Sequence, residues 1–276
     1  MQRPYAATAS GRDWAFVKEH QVPGLVRSWI ALSYAAGQCF MAPHRQWCYT
    51  PEKGTHWYEG PAEKFAPLYR FVRSNAEWFN DYETYTDVAV VLPHRSFLGE
   101  PHAWFEVCNQ LAEANLSYRL LLAGDELVVH PLKADMLKEC PVLLIRQRED
   151  LLPDDRKLVD ERTANRRVYA TASEVLANVR PAVQIGPEHA VRVLPRVADD
   201  DSAVVHRLNT AYDAARDDVQ PLKDVEVRLD FRALGVPRAN TCKFLAPDTE
   251  PQSLPVDRGT VTVPKLGLWG LLVFSD

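Results

Sequence analysis

The amino-acid sequence predicts an α/β protein built from three consecutive segments. Residues 84 to about 190 alternate short apolar runs with amphipathic stretches, the pattern of a parallel, doubly wound sheet. Residues 191–276 carry short runs with a period of two, broken by Pro and Gly, which predicts a small all-β sandwich. Residues 1–83 are crowded with aromatics and read helix, strand, long loop, helix.

In the first segment, residues 23–36 place Leu25, Trp29, Ile30, Ser33 and Tyr34 at helical spacing, ended by Gly37. The strand-length run Gln38–Ala42 stops at Pro43, and a polar and aromatic loop is expected from His44 to Gly60. Pro61 then opens a helix striped by Phe65, Leu68, Tyr69, Val72, Ala76 and Phe79. The second segment opens with Asp87–Pro93, a near-continuous apolar run of the kind buried on both faces of a parallel sheet. It continues with a helix over 103–115, strands at 118–122 and 127–129, a helix over 132–139, a strand at 141–146, a helix over 154–165 and a strand at 167–170. Ligand sites in such a sheet lie at the strand C-termini. The third segment offers strands at 203–209, 225–229, 243–246, 259–263 and 268–274.

Composition narrows the function classes. The 276 residues are 46% hydrophobic and 25% charged, with mean hydropathy −0.27 and pI about 5.9, enough for the cores of two or three domains. A net charge of −5, with basic residues scattered apart from Arg162, Arg166 and Arg167, argues against a nucleic-acid partner. No run approaches the roughly 20 apolar residues of a membrane span, and the N-terminus lacks the apolar core of a signal peptide. Five cysteines without CxxC spacing predict reduced thiols and a cytoplasmic protein. Neither GxGxxG nor GxxxxGK[ST] occurs, so no nucleotide and no other cofactor is expected, and without GxSxG an esterase elbow is not expected either.

The run from Gln38 to Thr50, the following Gly54–Tyr58 and the helix Leu68–Asn75 resemble the last strand, loop and helix of a glycoside-hydrolase (β/α)8 barrel. The order of the three segments resembles that of the family 42 β-galactosidases and related bacterial proteins: a catalytic barrel, a flavodoxin-like domain used in trimerisation, then a small β-sandwich. The likeness is architectural over the whole chain and textural over residues 28–90. It implies terminal (β/α) barrel units over 1–83, a flavodoxin-like parallel sheet over 84–190 and an antiparallel sandwich over 191–276. A complete barrel takes about 250 residues, so roughly two βα units fit ahead of the second segment. The chain is therefore expected to be a C-terminal piece of a larger protein, or the descendant of one that lost its catalytic half. Open strand edges in a partial barrel call for covering partners, which predicts a homo-oligomer.

The resemblance implies hydrolysis of an O-glycosidic bond by paired carboxylates, about 5–5.5 Å apart for retention and about 6.5–9.5 Å for inversion. The seventh barrel strand would correspond to Tyr5–Ala9, after which Asp13 and Glu19 are the first carboxylates. Glu19 is then the candidate nucleophile and Glu59 its alternative, with Glu52 a third acidic residue in the aromatic segment. Trp47, Trp57 and Tyr58 are candidate platforms for a pyranose C–H face, with His44, Arg45, Gln46 and His56 available to bind hydroxyls. Trp29 and Trp78, at apolar helical positions, belong to the core. A metal held by His44, His56 and His94 lacks HExxH or HxH spacing and is not expected, nor is a Cys48–histidine nucleophile pair. His206 and Asn209 read as structural residues of a strand. The competing function is a non-catalytic carbohydrate-binding or oligomerisation module without a complete active site.

Overall fold

The computed structural model describes residues 6–42, 45–138, 140–163, 167–186 and 190–275. They form two compact units, Met1–Thr84 with Ile185–Asp276, and Tyr85–Gln184.

The first unit begins with β1 (Ala6–Ala7), α1 (Gly11–His20), α2 (Pro23–Ala35) and β2 (Cys39–Phe40). Ser10 and Asp13 close a reciprocal capping box at the start of α1, with Ser10 N–H donating to Asp13 Oδ2 at 2.8 Å. Helix α2 starts at Pro23, where a missing N–H costs nothing, and buries Val26, Ile30, Ala31 and Ala35. β1 pairs in parallel with β2 over two residues, Ala6 with Cys39 and Ala7 with Phe40. Among the described residues these short strands do not extend into a closed barrel.

The loop expected after residue 44 is instead a hairpin of β3 (Arg45–Thr50) and β4 (Gly54–Glu59), paired from Arg45–Glu59 to Thr50–Gly54. Alternation explains it: Cys48 is buried while Trp47 and Tyr49 on either side are exposed, and Gly54 takes the positive φ that ends the turn. Helix α3 (Ala62–Ser74) buries Phe65, Leu68 and Phe71, and β5 (Glu83–Thr84) follows.

The second unit contains β6 (Val88–Pro93), α4 (His94–Gly99), α5 (Pro101–Glu113), β7 (Tyr118–Ala123), α6 (Ala134–Lys138), β8 (Val142–Leu144), α7 (Pro153–Thr163), β9 (Arg167–Tyr169) and α8 (Ala172–Asn178). Its four strands are all parallel in the order β7-β6-β8-β9. Successive β6 residues feed opposite layers. Val88 and Val90 pack with Trp104, Leu111 and Val175, whereas Ala89 and Val91 pack with Leu137 and Val159. This two-sided burial is why the run reads as continuously apolar. The strand expected at 127–129 is absent, because Asp125 Oδ1 accepts the N–H groups of Leu127 and Val128 and folds the segment into a turn that leaves Leu127 and Val129 exposed.

The chain continues through β10 (Val183–Ile185), β11 (Val191–Val197), β12 (Ala203–Asn209), β13 (Tyr212–Asp213), β14 (Asp218–Val219), β15 (Leu222–Leu229), α9 (Phe231–Leu234), β16 (Thr241–Leu245), β17 (Gln252–Pro255), β18 (Thr260–Leu266) and β19 (Trp269–Phe274). A six-stranded antiparallel sheet has the order β17-β16-β19-β12-β11-β5, so its last strand comes from the N-terminal segment. Strands β15 and β18 pair antiparallel in another sheet. The N- and C-terminal segments, separate in the sequence, share one core: Trp14, Ile30, Leu68 and Phe71 pack with Val204, Leu208, Trp269 and Leu271.

Candidate functional site

The β3–β4 hairpin sorts its side chains by parity. Tyr58 faces inward and stacks on Trp14 at 5.9 Å with 25° between the rings, and Cys48 is fully buried in the same core. Outward stand Trp47, Tyr49 and Trp57, which are 44%, 39% and 47% exposed. Trp47 and Trp57 are direct cross-strand partners, and Trp47 lies nearly parallel to Tyr49, with centroids 6.3 Å apart at 21°. The Arg45 guanidinium sits 4.6 Å from the Trp57 ring centroid and pairs with Glu59 at 3.8 Å. Helix α1 supports this strip. Lys18 Nζ donates to the Trp57 carbonyl at 2.7 Å, and any side chain at Gly11 would collide with the Trp47 ring. Half-exposed rings held from beneath are pre-organised for stacking, since little rotamer freedom is left to lose on binding.

The candidate carboxylates are placed apart. Glu19 lies on the last turn of α1 and accepts from Lys53 Nζ, in the hairpin turn, at 2.9 Å. That hydrogen bond first, with the charges of Lys53, His56 and His20, holds its carboxyl below the ordinary value against the opposing effect of desolvation. Glu59 is at the open end of the hairpin beside Arg45. Five residues of strand, about 17 Å at roughly 3.4 Å per residue, separate Gly54 at the turn from Glu59. Glu19 is thus tied to the turn end of the hairpin and Glu59 to its open end.

His56 stands opposite Cys48, and its Nδ1 is 3.1 Å from the Gly54 carbonyl, which makes Nδ1 the donor. Burial pushes the Cys48 thiol up, which opposes thiolate chemistry there. His44 lies outside the described residues. Among the described residues no group of three or more His, Cys, Asp or Glu side chains is arranged to hold a metal ion, and no helix is long and apolar enough to cross a membrane. His206 is fully buried between Phe79 and Trp269, and Asn209 holds the Gln220 carbonyl at 2.7 Å.

Two features escaped the sequence reading. Tyr49 joins the aromatic strip, and the period of two over Trp47-Cys48-Tyr49 was the signal for it. In the second unit, His94 after β6 and Asp125 after β7 meet at 2.8 Å, at the C-terminal edge of neighbouring parallel strands. The His94 hydrogen bond and the N–H groups of Val128 and Leu127 bring Asp125 down to about 2. Sequence separation hid this pair, which only the parallel register creates.

No family model matches the chain. It is similar to an alpha-agarase of Thalassotalea agarivorans, 28% identical over 283 residues that take in 94% of this chain and 18% of that protein. An alpha-agarase of Alteromonas agarilytica is 23% identical over 280 residues, covering 94% of this chain and 19% of the relative. The chain thus spans about a fifth of the length of the curated relatives it matches. At that distance the likeness is to one segment of these two agarases.

Proposed function

We propose that this chain is a carbohydrate-binding segment of agarase-like type, which holds a galactan chain on the outer face of the β3–β4 hairpin and does not itself cleave it. One observation carries the reading: Trp47, Tyr49 and Trp57 stand half-exposed on one face, two of them directly opposed across the strands and two stacked along one strand. A polysaccharide laid over such a strip buries the C–H faces of successive sugars, while Arg45 and Glu59 at one end supply hydrogen bonds to hydroxyls. The names of the relatives support agarose as the polymer. The ion pairs that engage Glu19 and Glu59 at opposite ends of the hairpin favour binding over catalysis by that pair. In this reading β1 and β2 with the helices that follow them stand for two βα units of a glycosidase scaffold, which support the platform and contribute no acid or base.

The test is affinity electrophoresis in polyacrylamide with and without dissolved agarose, with tryptophan fluorescence titration by soluble galactan oligosaccharides. Trp57→Ala and Trp47→Ala should each weaken binding roughly tenfold, the equivalent of about 1.4 kcal/mol for one lost stacking contact. Glu19→Gln should bind as the parent does. Unaltered binding in both tryptophan variants would sink the platform. Reducing-sugar release that disappears in Glu19→Gln would establish the catalytic alternative instead.

A further inference from the structure

Strand β12 runs through the middle of the six-stranded sheet, between β11 and β19, and every one of its residues is buried. At its centre His206 and Arg207 face opposite sides. His206 packs on Phe79 and Trp269. Arg207 turns the other way, beside its cross-strand partners Val193 and Gly270, and its Cζ lies 5.0 Å from the Phe244 ring centroid. A Cβ at Gly270 would stand 2.6 Å from Phe244 Cε2, so the ring is seated on bare backbone and pressed toward the guanidinium.

Arg207 is fully buried, and among the described residues its Nε, Nη1 and Nη2 have no hydrogen-bond partner. A guanidinium has five N–H donors in its own plane, and a ring beside it, such as Phe244, accepts none of them in a conventional hydrogen bond. An uncompensated charge in such a place is among the most costly features a core can contain. The titratable neighbour on that side is Cys242, whose thiol burial drives up to about 11, so it does not act as a counter-charge.

We propose that Arg207 is the seat of an internal anion site, occupied by a single halide-sized monovalent anion such as chloride. The enclosure fixes the class of ligand. A side chain with no exposed surface can admit at most a small ion, and one cationic group balances one negative charge. A divalent oxyanion would leave a net charge in the core and would give up a far larger hydration energy on entry. The in-plane N–H groups supply several donors to a spherical acceptor, which has no directional demand of its own.

The full chain is melted over a fifty-fold range of sodium chloride or bromide, with sodium gluconate holding ionic strength constant, and crystals grown in bromide are measured at the bromine absorption edge. Tm should rise by several degrees with halide, as mass action on a native-state site requires, and an anomalous peak should lie within hydrogen-bonding reach of the Arg207 guanidinium. Arg207→Met should lose the halide dependence of Tm. If that variant does not fold, the halide titration and the bromide map of the parent decide alone. No halide dependence beyond gluconate, no peak at Arg207, or an unchanged dependence in Arg207→Met would each overturn the site.

Discussion

Asp217 Oδ1 accepts the backbone N–H of Gly24 at 2.6 Å, across 193 residues of sequence. Gly24 is in the first turn of α2, whose own N-cap, Val22, has no side chain able to accept a hydrogen bond. The carboxylate therefore caps from outside the helix, where it also complements the positive end of the helix dipole. The same carboxylate takes the Tyr212 hydroxyl at 2.8 Å and Lys64 Nζ of α3 at 2.6 Å. Asp217 itself adopts a positive φ of 51° to reach this position. One residue thus ties α2, α3 and the β13–β14 hairpin together.

Asp217→Ala should destabilise the first unit by roughly 2–4 kcal/mol, the sum of a lost cap, a half-buried ion pair and a stranded Tyr212 hydroxyl. Asp217→Asn keeps an acceptor for Gly24 and should lose less. Urea unfolding followed by tryptophan fluorescence reads both. A change below about 0.5 kcal/mol for the alanine variant would place it among ordinary surface substitutions and refute the cap.

Gly37 ends α2 with φ of +77°, and a Cβ there would stand 2.9 Å from Arg196 Nη2. Arg196 in turn donates to the Tyr82 and Phe79 carbonyls and so spans β11 and the segment before β5. Gly37→Ala should cost roughly 1–2 kcal/mol for the left-handed backbone alone, and more because the guanidinium must move. Thermal unfolding measures the loss. A stability equal to the parent would mean that Arg196 shifts freely.

The sequence was most informative where one residue's neighbours decide its fate. The apolar runs at 88–92 and 268–274 became buried strands, because burial on both faces removes the need for alternation. Gly37 marked the end of α2 for the same local reason. Helix α1 was missed: its buried set, Trp14, Ala15 and Val17, is interrupted by exposed Phe16, and its start depends on the Ser10–Asp13 box. The shared core of the two chain ends was also illegible, since contacts such as Phe71 with Trp269 follow from tertiary packing that no local window encodes.

Asp87 connects local chemistry to pH in the second unit. Its oxygens accept the N–H groups of Ser117 at 2.8 Å and Ala182 at 3.0 Å. Burial nevertheless outweighs these bonds and raises its carboxyl from 3.8 to about 6. Between those values the native unit keeps a proton that the unfolded chain has released, so this group makes stability fall as pH rises toward 6 and contributes no further slope above it. The full effect is up to roughly 3 kcal/mol. Asp87→Asn should flatten that part of the profile. Hydrogen exchange of β6 amides between pH 4 and pH 7, corrected for intrinsic rates, follows the unit directly. A slope identical in parent and variant would show that Asp87 is ionised throughout.

Adjacent residues in the hairpin should answer to different assays. Tyr58 and Trp57 both read as sugar platforms in the sequence, yet strand parity sends Tyr58 onto Trp14 and leaves Trp57 outside. Burial lifts the Tyr58 hydroxyl to about 12, as expected for a ring that belongs to the core. Tyr58→Ala should therefore cost roughly 2–3 kcal/mol of stability, because it removes the surface on which Trp14 packs. Trp57→Ala should cost under roughly 1 kcal/mol, mostly the Arg45 contact, while its loss appears in galactan affinity. The decisive comparison is Tyr58→Phe, which keeps the ring and should preserve both stability and binding. If Tyr58→Phe lost affinity at unchanged stability, its hydroxyl would have to reach the ligand, and the division of the hairpin into an inner packing face and an outer binding face would fail.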